Sequence, residues 1–239
     1  MLNDKFQKAL AKFNKQLLSK CFIYGVIRPY RGETMRNFRF LPALFSLLLL
    51  PGCAGVGIVA TSDPLTKLND AEYLFTRENR PLPAERLIFE AMAIYKERDD
   101  PLGLGNANRE YADLLRSPSI DGPEGKSYHE NKFRDQSVTY ENRIAKSSEY
   151  YSRAIEYYAR AVKQLSEANR FDAVTTAYFN MANSYYMLGD HVNACTSYDK
   201  MLAAYQENIR LNPGAKPYSA PFKSIPDAVA AYKKQAHCS

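Results

Sequence analysis

The sequence predicts an all-α protein, a stack of helical hairpins closed by a C-terminal capping helix. Three observations indicate this fold. One series of helices repeats its small and apolar residues at a constant interval, and a second series repeats by the same arithmetic. Helix-capping residues also stand at the boundaries that the two series require.

One helix of each hairpin is identified by an alanine that returns along the chain. Ala154 lies 40 residues before Ala194, and Ala84 lies a further 70 residues before Ala154. Apolar residues follow each alanine at helical spacing, which is typical of one buried helix face. The three sets are Ala84, Ile88, Ala91 and Met92, then Ala154, Tyr158, Ala161 and Val162, then Ala194, Tyr198, Met201 and Leu202.

The other helix of each hairpin aligns independently, with the same 40- and 70-residue intervals in reverse order. Its sets are Leu68, Ala71 and Phe75, then Asn108, Tyr111, Ala112 and Leu115, then Tyr178, Met181, Ala182 and Tyr185. The longer interval is a 40-residue unit plus an insertion of about 30 residues inside the middle hairpin. We expect this insertion, about residues 117–140, to be a surface loop and a candidate contact with a partner.

Local signals mark where the helices begin and end. Asp63-Pro64 and Asp100-Pro101 each place a capping acid before a proline at the first helical position. Gly189 can end one helix in the left-handed conformation, and Asp190 can cap the next. We expect a capping helix at about residues 225–237, with Val229 and Tyr232 on one face.

The hairpin of residues 178–202 resembles the tetratricopeptide repeat, in which paired small and aromatic side chains let two antiparallel helices interlock. The resemblance implies that residues 64–239 form a right-handed α-solenoid of about three such units plus the capping helix. The alternative is an unrelated helical bundle whose spacing arises by chance.

An export signal precedes this domain. Residues 35–52 read as a basic start at Arg36 and Arg39, an apolar run of 11 residues and a small residue before Cys53. The run is about half of the roughly 20 residues that a membrane-spanning helix needs. The segment Leu50-Pro51-Gly52-Cys53 resembles the bacterial lipobox, although a proline departs from its pattern at the second position.

The lipobox resemblance implies cleavage before Cys53, lipidation of that cysteine and a linker over residues 53–63. Because Ala54 rather than Asp follows the cysteine, the resemblance further implies an outer-membrane lipoprotein facing the periplasm. The alternative is that Cys53 is an ordinary buried cysteine at the end of a core helix.

Residues 1–34 precede a complete signal, and we interpret them as an upstream extension with translation starting at Met35. In the alternative interpretation they form a basic amphipathic helix that binds a membrane surface, with one apolar face. That face would consist of Phe6, Leu10, Phe13 and Leu17.

The charge distribution excludes nucleic acid as a partner. The whole chain has a formal charge of +6, but residues 1–53 carry nine Lys and Arg against two acidic residues, a balance of +7. The remaining residues therefore carry a charge of about −1. A near-neutral domain lacks the basic footprint that phosphate backbones require.

The candidate partner-binding groove consists of the outward positions of each repeat's first helix, because tetratricopeptide proteins that bind peptides use these positions. They are Asn69, Tyr73, Arg77, Arg109, Asp113, Arg116, Phe179, Asn183, Tyr186 and Met187. Tyr157 and Tyr186 fall outside the repeat's core positions, so we consider both candidates for an exposed binding surface. The alternative is a solvated face that binds nothing.

No catalytic motif, cofactor motif or metal-ligand spacing is found, so we expect a binding protein without enzymatic activity, metal or cofactor. Cys195 and Cys238 could form a disulfide in an oxidising periplasm. The sequence therefore predicts an adaptor or scaffold that binds a segment of another envelope protein. Alternatives are an assembly factor or pilotin-like chaperone of a secretion or pilus system, a toxin-immunity protein and, least of all, a hydrolase.

Overall fold

The computed structural model describes residues 61–215 and 221–238. The predicted upstream extension, signal peptide and lipidated Cys53 lie outside these residues. The described residues belong to one unit that spans Ala54–Ser239.

The described part of the chain is helical, and none of its residues lies in a strand. The helices, in chain order, are α1 (Pro64–Arg77), α2 (Pro81–Glu97), α3 (Pro101–Arg116), α4 (Arg143–Glu167), α5 (Phe171–Met187), α6 (His191–Leu211) and α7 (Ile225–Gln235). Two 3₁₀ segments, Pro118–Asp121 and Pro123–Glu130, lie between α3 and α4. The all-α prediction is thereby confirmed.

Each helix packs against the next one along the chain, and the most extensive contacts join α1 to α2, α3 to α4 and α5 to α6. In addition, α1 contacts α3 and α3 contacts α5. We therefore call α1, α3 and α5 the first helices and α2, α4 and α6 the second helices of three hairpins. The last helix, α7, packs on α6.

The repeating alanines lie where helices meet. Ala84, Ala154 and Ala194 are all fully buried, one on each second helix. Tyr111 and Tyr158 are also fully buried, as their repeat positions predict. Small side chains let the helix backbones approach, and the aromatic rings beside them fill the remaining space.

The predicted helix boundaries are confirmed. Asp63 accepts a hydrogen bond from the backbone N–H of Thr66 at 2.8 Å, and Asp100 accepts one from Gly103 at 2.9 Å. Asp190 caps α6 in the same way, by accepting from the backbone N–H of Asn193 at 3.1 Å. These side chains satisfy N–H groups that have no partner within the helix.

Two glycines let α3 lie between its neighbouring helices. A Cβ atom on Gly103 would lie 2.0 Å from the ring of Tyr95 in α2, and one on Gly105 would lie 2.6 Å from the ring of Tyr158 in α4. No side chain fits at either distance. Both second helices therefore press a tyrosine ring directly onto the backbone of α3.

The prediction of a surface loop for residues 117–140 is wrong. Ile120, Tyr128 and Val138 are fully buried, and Phe133 is almost so. The rings of Tyr128 and Phe133 stack with their centroids 4.4 Å apart. Apolar side chains without helical periodicity fasten this segment to the core, so it is part of the folded domain.

Glu85 of α2 holds the insertion in place. Its carboxylate, 2% exposed, accepts hydrogen bonds from the hydroxyls of Tyr111 at 3.0 Å and Tyr128 at 3.2 Å. It also accepts one from the backbone N–H of Arg134 at 2.9 Å. One buried carboxylate thus joins α2, α3 and the insertion, and burial raises its pKa above the ordinary value.

Candidate interaction surfaces

The ten residues of the predicted groove lie on the three first helices, and we call them the first-helix surface. Asn69, Tyr73 and Arg77 lie on α1, and all three are exposed. Arg109, Asp113 and Arg116 lie on α3, and Phe179, Asn183, Tyr186 and Met187 lie on α5, all partly buried. Because α3 contacts both other helices, the structure brings the three groups onto neighbouring elements.

The three α3 residues make contacts within the protein. Arg109 pairs with Asp113 through an N–O distance of 2.8 Å, and Asp113 accepts a short hydrogen bond from the hydroxyl of Tyr151 in α4. Arg116 donates to the hydroxyl of Ser147, also in α4, at 2.7 Å. These side chains connect the two helices of the middle hairpin and are held rigidly in place.

The α5 residues are also held by their neighbours. The ring of Phe179 packs against Tyr232 of α7, with the centroids 5.0 Å apart. The amide oxygen of Asn183 accepts a hydrogen bond from the hydroxyl of Tyr198 at 2.8 Å. The α1 end of the surface differs, since Tyr73 leaves 57% of its surface exposed. A large aromatic side chain so exposed is a candidate anchor for a partner.

Glu110, which the sequence did not single out, is a buried carboxyl group next to the first-helix surface. Its side chain is 5% exposed and lies 3.1 Å from the guanidinium of Arg109. Burial raises the pKa of Glu110 to about 8, and this exceeds the opposing effect of Arg109. Its Oε1 atom has no hydrogen-bond partner. A buried glutamate on a helix is not distinguishable in the sequence from a solvated one.

We predict that Glu110→Gln stabilises the protein at alkaline pH. The folded-state pKa of about 8 lies above the ordinary 4.5, so this group's contribution to stability is complete below pH 4.5 and is lost as the pH rises through 8. Relative to wild type, the variant should gain on the order of 2 kcal/mol between pH 5 and pH 9. The measurement is urea unfolding across that range.

Glu90→Gln is a control of opposite sign. A hydrogen bond from Lys67 lowers the pKa of Glu90, so its contribution is present above its ordinary pKa and is lost at acid pH. This variant should be less stable than wild type at pH 9. Parallel stability profiles for wild type and Glu110→Gln would contradict the role assigned to Glu110.

The structure contains a second candidate surface, a cleft of about 670 Å³ between α2 and α4 that the sequence did not predict. We call it the α2–α4 cleft. The two helices make almost no direct contact with each other, and α3 forms the floor between them. The lining residues are Phe89, Met92, Ala93, Lys96, Leu104, Asn108, Tyr150, Arg153, Glu156, Tyr157 and Arg160. Tyr157, a candidate binding residue by sequence, lies here.

The structure joins Cys195 of α6 to Cys238, three residues after the end of α7, through a disulfide. Their Cα atoms are 5.7 Å apart. Within residues 61–215 and 221–238, no cluster of three His, Cys, Asp or Glu side chains could hold a metal ion. Among the helices described above, none is both long and apolar enough to cross a membrane.

Comparison of the chain with protein-family models, with curated proteins and with solved structures found no significant match. The functional interpretation therefore depends on the geometry of the helices, their two exposed surfaces and the sequence patterns.

Proposed function

We propose that residues 64–239 form a right-handed α-solenoid of three tetratricopeptide-type units with a capping helix. In this proposal the domain is an adaptor that binds a segment of another envelope protein. The chain is held at the outer membrane by lipid on Cys53, with the domain in the periplasm. Its mode of action is binding, without catalysis or a cofactor.

The observation that carries this proposal is the equivalence of the three second-helix alanines. Ala84, Ala154 and Ala194 occupy matching positions by sequence, and each is fully buried against its neighbours. Contacts between successive first helices accompany them. Repeat proteins of this kind bury a continuous core between neighbouring units and use the remaining face for partners.

The first-helix surface suits an extended or helical segment because its two ends differ. Its α3 and α5 residues are already fixed by contacts such as Arg116 to Ser147, so they lose little freedom when a partner binds. At the α1 end, Tyr73 offers exposed aromatic area with few rotatable bonds. Rigid aromatic anchors of this type often dominate the free energy of binding.

Site-specific photo-cross-linking in the native host tests the proposal. A photoreactive residue replaces Tyr73 or Tyr186 of the full chain, and Val192 serves as the control position because it is 77% exposed on a second helix. We expect the same envelope protein to cross-link at positions 73 and 186 but not at 192. Tyr73→Ala should lower recovery of that partner about tenfold, whereas Val192→Ala should not.

Two outcomes would overturn the proposal. Equal cross-linking at all three positions would remove the first-helix surface as the binding face, and a lack of any cross-linked partner would remove the adaptor function. The same membrane-extracted protein tests the anchor by intact-mass measurement. An unmodified chain that starts at Met1 would exclude cleavage and lipidation at Cys53.

A further inference from the structure

The α2–α4 cleft has a fixed aromatic end. The ring of Phe89 meets the edge of Tyr111 with centroids 5.0 Å apart, and Tyr111 meets the edge of Tyr150 at 4.7 Å. Tyr111 is fully buried and donates to Glu85, and Tyr150 donates to Asp135 at 2.6 Å. Because its wall is held by this network, the cleft exists before any ligand arrives. Its volume lies within the range of ordinary ligand sites.

The rim of the cleft is positively charged. Lys96, Arg153 and Arg160 line it together with one carboxylate, Glu156. Lys96 has no ion pair with any other described residue, and both arginines have side chains that are about half exposed. The domain beyond Cys53 carries a charge of only about −1, so this local excess of cations is a specific feature of the cleft.

Helix α4 arranges its part of the lining as a ladder of alternating aromatic and cationic side chains. The guanidinium of Arg153 lies 4.7 Å from the ring centre of Tyr150, and that of Arg160 lies 5.8 Å from the ring centre of Tyr157. Each pair is repeated after seven residues. At a rise of 1.5 Å per residue, the repeat along the helix axis is about 10.5 Å.

The same repeat in a ligand identifies its backbone. Carboxylates at positions i and i+7 of an α-helix lie on one face about 10.5 Å apart, with positions i+3 and i+4 between them. An extended strand covers that length in about three residues, and an odd spacing puts the two side chains on opposite faces. The spacing of the arginines therefore matches a helix that runs along α4.

We propose that the α2–α4 cleft binds an acidic amphipathic helix of a partner protein. Carboxylates at i and i+7 pair with Arg153 and Arg160, and apolar side chains at i+3 and i+4 enter the cleft over Leu104 and Met92. This site lies on the second helices, so it is separate from the first-helix surface and does not depend on the function proposed above.

The test measures binding of a helix-constrained synthetic peptide to the full purified chain by fluorescence anisotropy. The peptide carries Glu at i and i+7 and Leu at i+3 and i+4. We expect saturable binding that falls at least tenfold in the Arg153→Glu, Arg160→Glu double variant. Lys200→Glu is the control, since this exposed α6 residue undergoes the same charge reversal but does not line the cleft. It should change the affinity less than twofold.

A gain of affinity provides a second test that does not depend on loss of structure. Glu156→Gln removes the one carboxylate of the rim and should strengthen peptide binding two- to fivefold. A peptide with Gln at i and i+7 should bind at least tenfold more weakly than the Glu peptide.

Three results would overturn the proposal. The first is no binding to the wild-type chain, and the second is equal binding of the Glu and Gln peptides. The third is binding to phosphatidylglycerol vesicles that the double variant abolishes while the peptide does not bind, which would assign the cleft to anionic lipid.

Discussion

The Glu85→Ala variant is expected to lose about 3–5 kcal/mol of unfolding free energy, because several buried donors share this one acceptor. Without the carboxylate, the hydroxyl of Tyr111 and the backbone N–H of Arg134 lose the acceptor that they share. The hydroxyl of Tyr128 retains the carbonyl oxygen of Pro81 at 3.2 Å. Urea unfolding gives the size of the loss.

Glu85→Gln is the matched control. Its amide oxygen can still accept from Tyr111 and Arg134, so we expect a loss of about 1 kcal/mol. Hydrogen exchange distinguishes the two variants further, because only Glu85→Ala should expose the amides of residues 117–142. If the two variants were equally stable, the network around Glu85 would not be what fastens the insertion.

The core of the helices could be predicted from the sequence, and the insertion could not. A helix that buries one face must repeat its apolar residues about every 3.6 positions, and this fixed the burial of Ala84, Ala154 and Ala194. The insertion has two short 3₁₀ segments that begin at prolines, and such segments leave no period to detect. Its burial depends on Tyr128 and Phe133, whose partners are distant along the chain.

The two candidate surfaces show the same limit. Helical register correctly indicated that Tyr73 faces away from the core. It could not indicate that Asp113 already accepts a hydrogen bond from Tyr151, 38 residues later, because that contact depends on how α4 lies across α3. The α2–α4 cleft likewise depends on the distance between two non-consecutive helices. Tyr157, a large aromatic residue off the repeat's core positions, was its one signal in the sequence.

Loss of the disulfide is the second large effect that we expect. The bond between Cys195 and Cys238 closes a segment with a sequence separation of 43 residues. For a loop of this size, the reduction in unfolded-chain entropy corresponds to about 4 kcal/mol of stability. The Cys195→Ser, Cys238→Ser double variant should melt roughly 8–16 °C below the oxidised wild type. Scanning calorimetry with and without reductant measures this difference.

Reduced wild-type protein is the internal control, since it should melt within a few degrees of the double variant. The bond is not all that holds α7, because Ile225 and Val229 are buried in a cluster with Tyr198 and Met201 of α6. If that packing alone fixed α7, reduction would leave the melting temperature unchanged and the prediction would fail. The α7 amides should therefore lose exchange protection first, while those of α1 to α3 keep theirs.

The same bond connects stability with location. Structural disulfides form and persist in oxidising compartments such as the bacterial periplasm and are rare in a reducing cytosol. Protein isolated from cells under thiol-blocking conditions should therefore carry Cys195 and Cys238 unalkylated and joined. If both thiols were alkylated instead, the stabilising crosslink would be absent in the cell, and the proposal that the domain is exported past Cys53 would lose its structural support.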